Sequence, residues 1–371
     1  MNITHVVENL NRGGLERVVL DLVKLQQQQG HRCQVVCLFE RGTLAHELDA
    51  AGIPVHACGK RRGFDVKALS CVRRLIRAHR TDVLHSHNAV AHYLAVLASL
   101  GLHVGKVINT RHGMGGMQRW NRAEMLYRAS LAHTDAVAMV CEAACNGAIE
   151  HGLVPQRKLR VVPNGVRVQE FTVASPAARA RLREALRLSP QTRVIGTVGR
   201  LNWAKDQANL IHAFRHVHEQ LPDSALVMIG DGSLRPELEA CARDEGVAGA
   251  VHFLGDRSDV RDLLQGLDVF VLSSVSEGYS MALLEASATA LPIVATDVGG
   301  NREIVLHGVT GSIVPARDAE ALAQAVLALL RNPEHAARLG AAARAMMEAS
   351  GSLEAMAVRY AALYEPRRQG A

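Results

Sequence analysis

The chain has 371 residues, 48% of them hydrophobic and 4% aromatic, with a formal net charge of +6. That length exceeds one ordinary core and suits two domains, and the lack of an apolar run of about 18 residues excludes a membrane-spanning helix. The first 170 residues hold 22 Lys and Arg against 13 Asp and Glu, while the remainder is mildly acidic, so an anionic surface or substrate is expected on the first half only.

Residues 3–7 form a short apolar run, followed by a loop and a helical pattern over 14–29. The first residues lack a basic segment leading into a long apolar one, so a cytoplasmic location is expected. Seven cysteines with no Cys-x-x-Cys pair fit buried, reduced thiols in that compartment. Strand-like runs recur at 34–39, 83–85, 106–110 and 136–140 with helical stretches between them. This alternation predicts a parallel sheet with crossover helices. Gly13 and Gly14 follow the first strand; without a Cβ, their backbone can approach a phosphate or sugar closely. They are not the Gly-x-Gly-x-x-Gly of a dinucleotide fold, which weakens a dehydrogenase reading.

Between 60 and 80 stand eight Lys and Arg against one acid, Asp65, and Leu69, Val72, Leu75 and Ile76 give that stretch an apolar face. Two readings stay open: a basic amphipathic helix that docks on an anionic membrane surface, or a solvated helix packed on its own sheet. Nucleic acid is not expected, because the few aromatic residues offer no stacking platform. His85 and His87 stand two apart, a spacing that can share a metal, but no third ligand is evident nearby. A polar acceptor pocket or a simple loop is the expectation there. A lone His112 follows the strand at 106–110 and precedes the glycine-rich stretch Gly113, Met114, Gly115, Gly116, Met117, expected to be a mobile loop that closes over an acceptor.

The first series ends near Asn164 and Gly165, and a linker is placed at the start of 168–190. A second alternation runs through 194–198, 225–229, 251–254, 269–272, 292–295 and 312–314. After its strand at 269–272 comes Glu277, and Glu285 follows eight residues later inside a helical pattern. The first amides of that helix have no intrahelical partner and can face an anion. Carboxylates on both sides of such a cluster suit a ligand with phosphate in the middle and hydroxyls at each end, as in a nucleotide-sugar. The plainer reading is that Glu277 complements the helix dipole and Glu285 faces solvent.

The paired glutamates resemble the mark of the retaining GT-B glycosyltransferases of family 4, and other motifs fall in that family's order. These are Gly13, Gly14, Leu15 and Glu16; the run Val161, Val162, Pro163, Asn164, Gly165; Gly199 and Arg200 with Lys205; Ile229, Gly230, Asp231, Gly232; Phe253, Leu254, Gly255; and Val298, Gly299, Gly300. The likeness covers nearly the whole chain. Departures are Ala290, where the family often has Gly, and Cys141 before Glu142, where it often has Ser.

The resemblance implies an α/β fold of the GT-B type, two Rossmann-like domains facing across a cleft. Residues 1–168 would form the acceptor-binding domain, with a C-terminal helix of about 354–371 packing back on it, and 169–353 the donor-binding domain. It implies transfer of a sugar from a UDP- or GDP-sugar to a glycan or lipid-linked acceptor with retention, in polysaccharide or glycolipid assembly, by an enzyme peripheral on the inner membrane face. His112 and Glu277 would be catalytic. Gly13, Gly14, Arg200, Lys205, Leu254, Ser280, Met281, Ala282 and Glu285 would bind the donor. Arg200 and Lys205 would meet the diphosphate, Glu285 the ribose, and Leu254 would wall the base through its backbone. No Asp-x-Asp occurs in the chain, so neither metal nor cofactor is expected. The rivals are a nucleotide-sugar epimerase on the same fold and a non-catalytic nucleotide- or glycan-binding protein.

Overall fold

The computed structural model describes residues 1–113 and 122–365. Met114 to Met117 of the glycine-rich stretch and residues 366–371 therefore lie outside the described part. The chain divides into two compact units, Met1–Gly165 with Leu353–Ala371, and Val166–Ser352.

The first unit holds seven strands: β1 Asn2–Val7, β2 Arg32–Cys37, β3 Val55–Ala57, β4 Val83–His87, β5 Lys106–Arg111, β6 Ala136–Met139 and β7 Leu159–Val161. They pair in parallel in the order β3-β2-β1-β4-β5-β6-β7. The second unit holds β8 Arg193–Val198, β9 Ser224–Ile229, β10 Val251–Phe253, β11 Val269–Leu272, β12 Ile293–Thr296 and β13 Ser312–Val314. These are parallel in the order β10-β9-β8-β11-β12-β13. Each sheet is a doubly wound Rossmann-like sheet with both faces covered by crossover helices; β11 and β12 of the second are nearly all apolar, whereas β1, β4 and β5 of the first bury His5, His85, His87, Asn109 and Thr110 among their apolar residues. Chain direction across each sheet reverses once, between β1 and β4 in the first unit and between β8 and β11 in the second. That reversal opens a crevice at the carboxyl ends of the strands, where ligands bind in such sheets.

The helix Val66–Ala78 answers one open reading. Asp65 caps it, accepting from the N–H groups of Lys67 and Ala68. Its stripe Ala68, Val72 and Ile76 is buried, and Leu69 and Leu75 pack against the core of the first unit. The apolar face is therefore spent on the unit's own core, and Arg73 donates to the carbonyls of Ala98 and Leu100. What stays exposed is the basic face, with Phe64 and Val66 at 69% and 62% exposure at its start.

Both departures from the family pattern have a local account. Ala290 has φ +58°, the left-handed region where glycine is unstrained and another residue costs about 1–2 kcal/mol. Cys141 is the N-cap of the helix Glu142–Glu150, its Sγ accepting from Ala144 N at 3.4 Å, a weaker version of a serine cap.

Candidate functional site

In the second unit, Arg200 and Lys205 follow β8 and Glu277 follows β11, so the three stand on the two loops at the strand-order reversal. The loops are zipped together: Val275 N donates to Ala204 O at 2.8 Å and Ser273 Oγ to Lys205 O at 2.9 Å. Lys205 Nζ meets Glu277 Oε1 at 2.5 Å, with the two side chains only 20% and 10% exposed. Ser274 Oγ donates to the same carboxylate oxygen at 2.5 Å. Glycines make this packing feasible. Gly299 has φ +51°, and a Cβ there would lie 1.9 Å from Glu277 O; one on Gly230, at φ +134°, would lie 2.1 Å from Gly199 O.

The helix Met281–Ala288 begins just after Glu277, with Ser280 as N-cap. Ser280 is 3% exposed, yet its side chain makes no cap bond, and its Oγ has no partner among the described residues. A buried hydroxyl in that state is open to a ligand oxygen. Met281 and Ala282 are the first two helical residues, whose N–H groups have no partner inside the helix. Glu285, half-buried, lies one turn on. Arg200 is exposed, with its carbonyl accepting from Gln207 Nε2 at 3.1 Å. Leu254 stands apart, after β10 at the sheet edge, and its N–H is taken by Met228 O at 2.9 Å. Any backbone contact it makes with a base would use its carbonyl.

In the first unit, Gly13 is the N-cap of the helix Gly14–Gln28 that follows β1, and its φ of −177° is extended backbone open to any residue. His112 follows β5. Its N–H donates to Asn88 Oδ1 at 3.2 Å, and Asn88 has φ +63° at the junction of β4 with its helix. Asparagine is among the few residues that tolerate that conformation, so backbone strain is placed at the point that holds His112.

The stretch from His85 to His87 is neither loop nor open pocket. It is the end of β4, and all three side chains are buried. The third imidazole that sequence spacing did not reveal is His5 on β1, directly opposite His85 in register. Ligand atoms of His5, His85 and His87 lie within 4.8 Å of one another. Protein groups already occupy their ring nitrogens. His5 Nε2 meets Gln26 Oε1 at 2.8 Å and its Nδ1 meets His87 Nε2 at 3.1 Å. His87 Nδ1 meets His112 Nε2 at 3.0 Å. His85 Nδ1 meets Tyr364 OH at 2.7 Å and its Nε2 meets Thr110 Oγ1 at 2.8 Å. A metal would have to displace these bonds, so the donor set fits a hydrogen-bond network better than a metal centre. Burial holds the rings neutral: His5 is lowered to about 4 and His112 to about 3, in each case by desolvation first. His112 Nδ1 is buried without a partner among the described residues.

Sequence reasoning missed Ser274, Asn88, His5 and Gln26. For His5 a signal existed, an ionisable residue in the middle of an apolar run; for the others only the fold supplies the neighbour.

Residues 178–346 match the family described as glycosyl transferases group 1, and residues 12–170 match glycosyltransferase family 4. The chain is 31% identical to the putative glycosyltransferase EpsD of Bacillus subtilis (strain 168), over 76% of each chain. It is 27% identical to the UDP-Gal:alpha-D-GlcNAc-diphosphoundecaprenol alpha-1,3-galactosyltransferase of Escherichia coli, over 88% of this chain and 87% of that one. The fold superposes on Anabaena HepE, solved in complex with UDP, with a TM-score of 0.87 at 21% identity, covering 98% of this chain and 99% of that one.

Proposed function

We propose that this chain, which belongs to the group 1 glycosyltransferases of family 4, moves a sugar from a UDP- or GDP-sugar to a hydroxyl of a glycan or lipid-linked acceptor with retention of configuration. The observation that carries this reading is the Lys205–Glu277 contact at the strand-order reversal, beside the first amides of the helix Met281–Ala288, which have no partner inside the helix. As the bond from the sugar's anomeric carbon to the phosphate oxygen breaks, its electron pair leaves with the diphosphate. Arg200, Lys205 and the helix amides meet that growing negative charge, which leaves no task for a metal. The acceptor hydroxyl attacks from the face the diphosphate leaves, and its proton passes to the departing phosphate oxygen. Glu277 meets the sugar of the donor, Glu285 accepts from the ribose hydroxyls, and Ser280 donates to the donor, while His112 of the first unit meets a substrate hydroxyl. Gly13 and Gly14 offer backbone to the sugar or phosphate. Leu254 lines the base.

Thermal unfolding with UDP, GDP, ADP and NAD tests the donor assignment. A ligand at a hundredfold over its Kd stabilises by about 2.7 kcal/mol, a shift of a few degrees. The expected result is a shift with UDP or GDP that Lys205→Met clearly diminishes. A shift with NAD alone would overturn the reading.

An acceptor on an anionic lipid is supported by the E. coli relative, whose name couples a UDP-sugar to a diphosphoundecaprenol. It is also supported by the exposed basic face over 60–80. Among the described residues no helix is long and apolar enough to cross a membrane. With the apolar stripe buried, contact would rest on Arg61, Arg62, Lys67 and Arg74, with Phe64 and Val66 entering the headgroup layer. Co-sedimentation with phosphatidylglycerol vesicles but not phosphatidylcholine vesicles is expected, weakened by salt and by replacing Arg61 and Arg62 with Ser. Equal binding to both vesicle types would sink this surface assignment.

A further inference from the structure

The buried histidines of the first unit form one directed chain, and its direction follows from hydrogen-bond bookkeeping. Gln26 Nε2 donates to Tyr364 OH at 3.1 Å, which turns its Oε1 toward His5 Nε2. An amide oxygen only accepts, so the proton of His5 sits on Nε2 and its Nδ1 is bare. The 3.1 Å contact from His5 Nδ1 to His87 Nε2 then needs the His87 proton on Nε2, leaving His87 Nδ1 bare. The 3.0 Å contact from His87 Nδ1 to His112 Nε2 needs the His112 proton on Nε2 in turn. The last nitrogen, His112 Nδ1, is left without a proton and, among the described residues, without a partner. The side branch agrees. Tyr364 OH accepts from Gln26 and so donates to His85 Nδ1, and His85 Nε2 donates to Thr110 Oγ1.

We propose that Gln26, acting through His5 and His87, is a positioning residue that fixes His112 as a hydrogen-bond acceptor at Nδ1, set to receive a substrate hydroxyl. This deepens the functional reading and rests on it only for the identity of that hydroxyl, a sugar hydroxyl. A neutral imidazole in water interconverts its two tautomers freely. Here three residues beyond reach of the substrate remove the choice before the substrate arrives. A donor hydrogen on Nδ1 would instead oppose the hydroxyl's own proton and leave the hydroxyl to turn its oxygen inward.

The test is the nitrogen-15 spectrum of the full-length protein labelled at histidine, without ligand, with the His112 signals identified by their loss in His112→Gln. The wild type is expected to show His112 protonated at Nε2 and bare at Nδ1. Gln26→Leu is expected to turn this single state into a mixture and to lower kcat about tenfold, with KM for the donor unchanged, followed as nucleotide release from UDP-glucose or GDP-mannose. Gln26→Glu keeps an oxygen facing His5 and is expected to retain both readouts, whereas Gln26→Met, which fills similar space without an acceptor oxygen, is not; a residue that merely filled space would tolerate Met as well as Glu. A wild-type His112 protonated at Nδ1, or a Gln26→Leu protein with the single tautomer intact, overturns the proposal. If Gln26→Leu does not fold, the wild-type spectrum still decides. If neither nucleotide-sugar is turned over, the glycosyltransferase reading of His112 fails, while the spectrum judges the relay independently.

Discussion

Glu277→Ala and Lys205→Met are expected to move nucleotide binding in opposite directions while both abolish transfer. In the native loop pair the carboxylate neutralises the ammonium at 2.5 Å and is itself held by Ser274. Removing the carboxylate leaves Lys205 in a mostly buried place with no counter-charge, and a diphosphate becomes its best available partner. UDP or GDP affinity should hold or rise in Glu277→Ala, while kcat for transfer falls by about 10²–10³, because the group that meets the sugar is gone. Lys205→Met removes a cation and leaves a carboxylate aimed at the incoming phosphates. A hydrogen bond to a charged group contributes about 1.5–3 kcal/mol, so nucleotide affinity should drop about 10- to 100-fold. The double variant should bind nucleotide better than Lys205→Met alone, since the repelling carboxylate is also removed. Calorimetric titration of the four proteins reads the coupling directly. Nucleotide binding weakened equally by both single changes would show that the pair acts as a structural clamp and not as a donor site.

How much of this was legible before the structure depends on whether a feature is local. Some strands announce themselves as unbroken apolar runs, as in Val269, Phe270, Val271 and Leu272, and both Rossmann-like sheets follow from the alternation of strand and helix patterns. β3 and β7 have three residues each and are not read from the sequence; β10 and β13 are as short but are read within the regular alternation of the second half. Glu277 is singled out by its place after a strand and before a helix, and Lys205 through the family resemblance. That they touch is a consequence of β8 and β11 being neighbours, a fact of topology that no spacing encodes. The histidine chain is the extreme case. Gln26, His5, His87, His112 and Tyr364 are scattered over 360 residues, and only the β1-β4-β5 order with the helix Leu353–Tyr364 laid against it brings them together. The basic helix was half legible: its amphipathicity is plain in the sequence, whereas what its apolar side packs on is decided by burial against the first unit's core.

The same buried histidines should make the first unit acid-labile well above the pH at which carboxylates protonate. Burial lowers His5 to about 4 and His92 and His112 to about 3, and lowers His85 and His87 well below the usual histidine range, with desolvation the largest cause in each. His92 illustrates why: it is fully buried, its Nδ1 faces Ser86 Oγ at 2.7 Å, its Nε2 faces Thr134 Oγ1 at 2.8 Å, and Arg111 and Lys158 oppose a further positive charge. The unfolded chain protonates these rings near pH 6.5, but the folded one resists protonation until lower pH, about 4 at His5 and about 3 at His92 and His112. Between those limits the unfolded state binds more protons, so stability is fully present above about pH 6.5 and is lost as pH falls. Each such ring contributes a slope of up to about 1.4 kcal/mol per pH unit. Five together would consume a net stability of about 5–15 kcal/mol within one to two units. Urea unfolding of the whole protein, followed by circular dichroism from pH 7.5 to 4.5, is expected to show a midpoint that collapses between pH 6 and 5. His92→Gln, which removes one titrating ring, should flatten that dependence by about one proton even if the variant starts less stable. A midpoint that stays level from pH 7 to 5 would mean that these rings are solvated or charged in the folded protein, and the neutral network that sets His112 would fall with them.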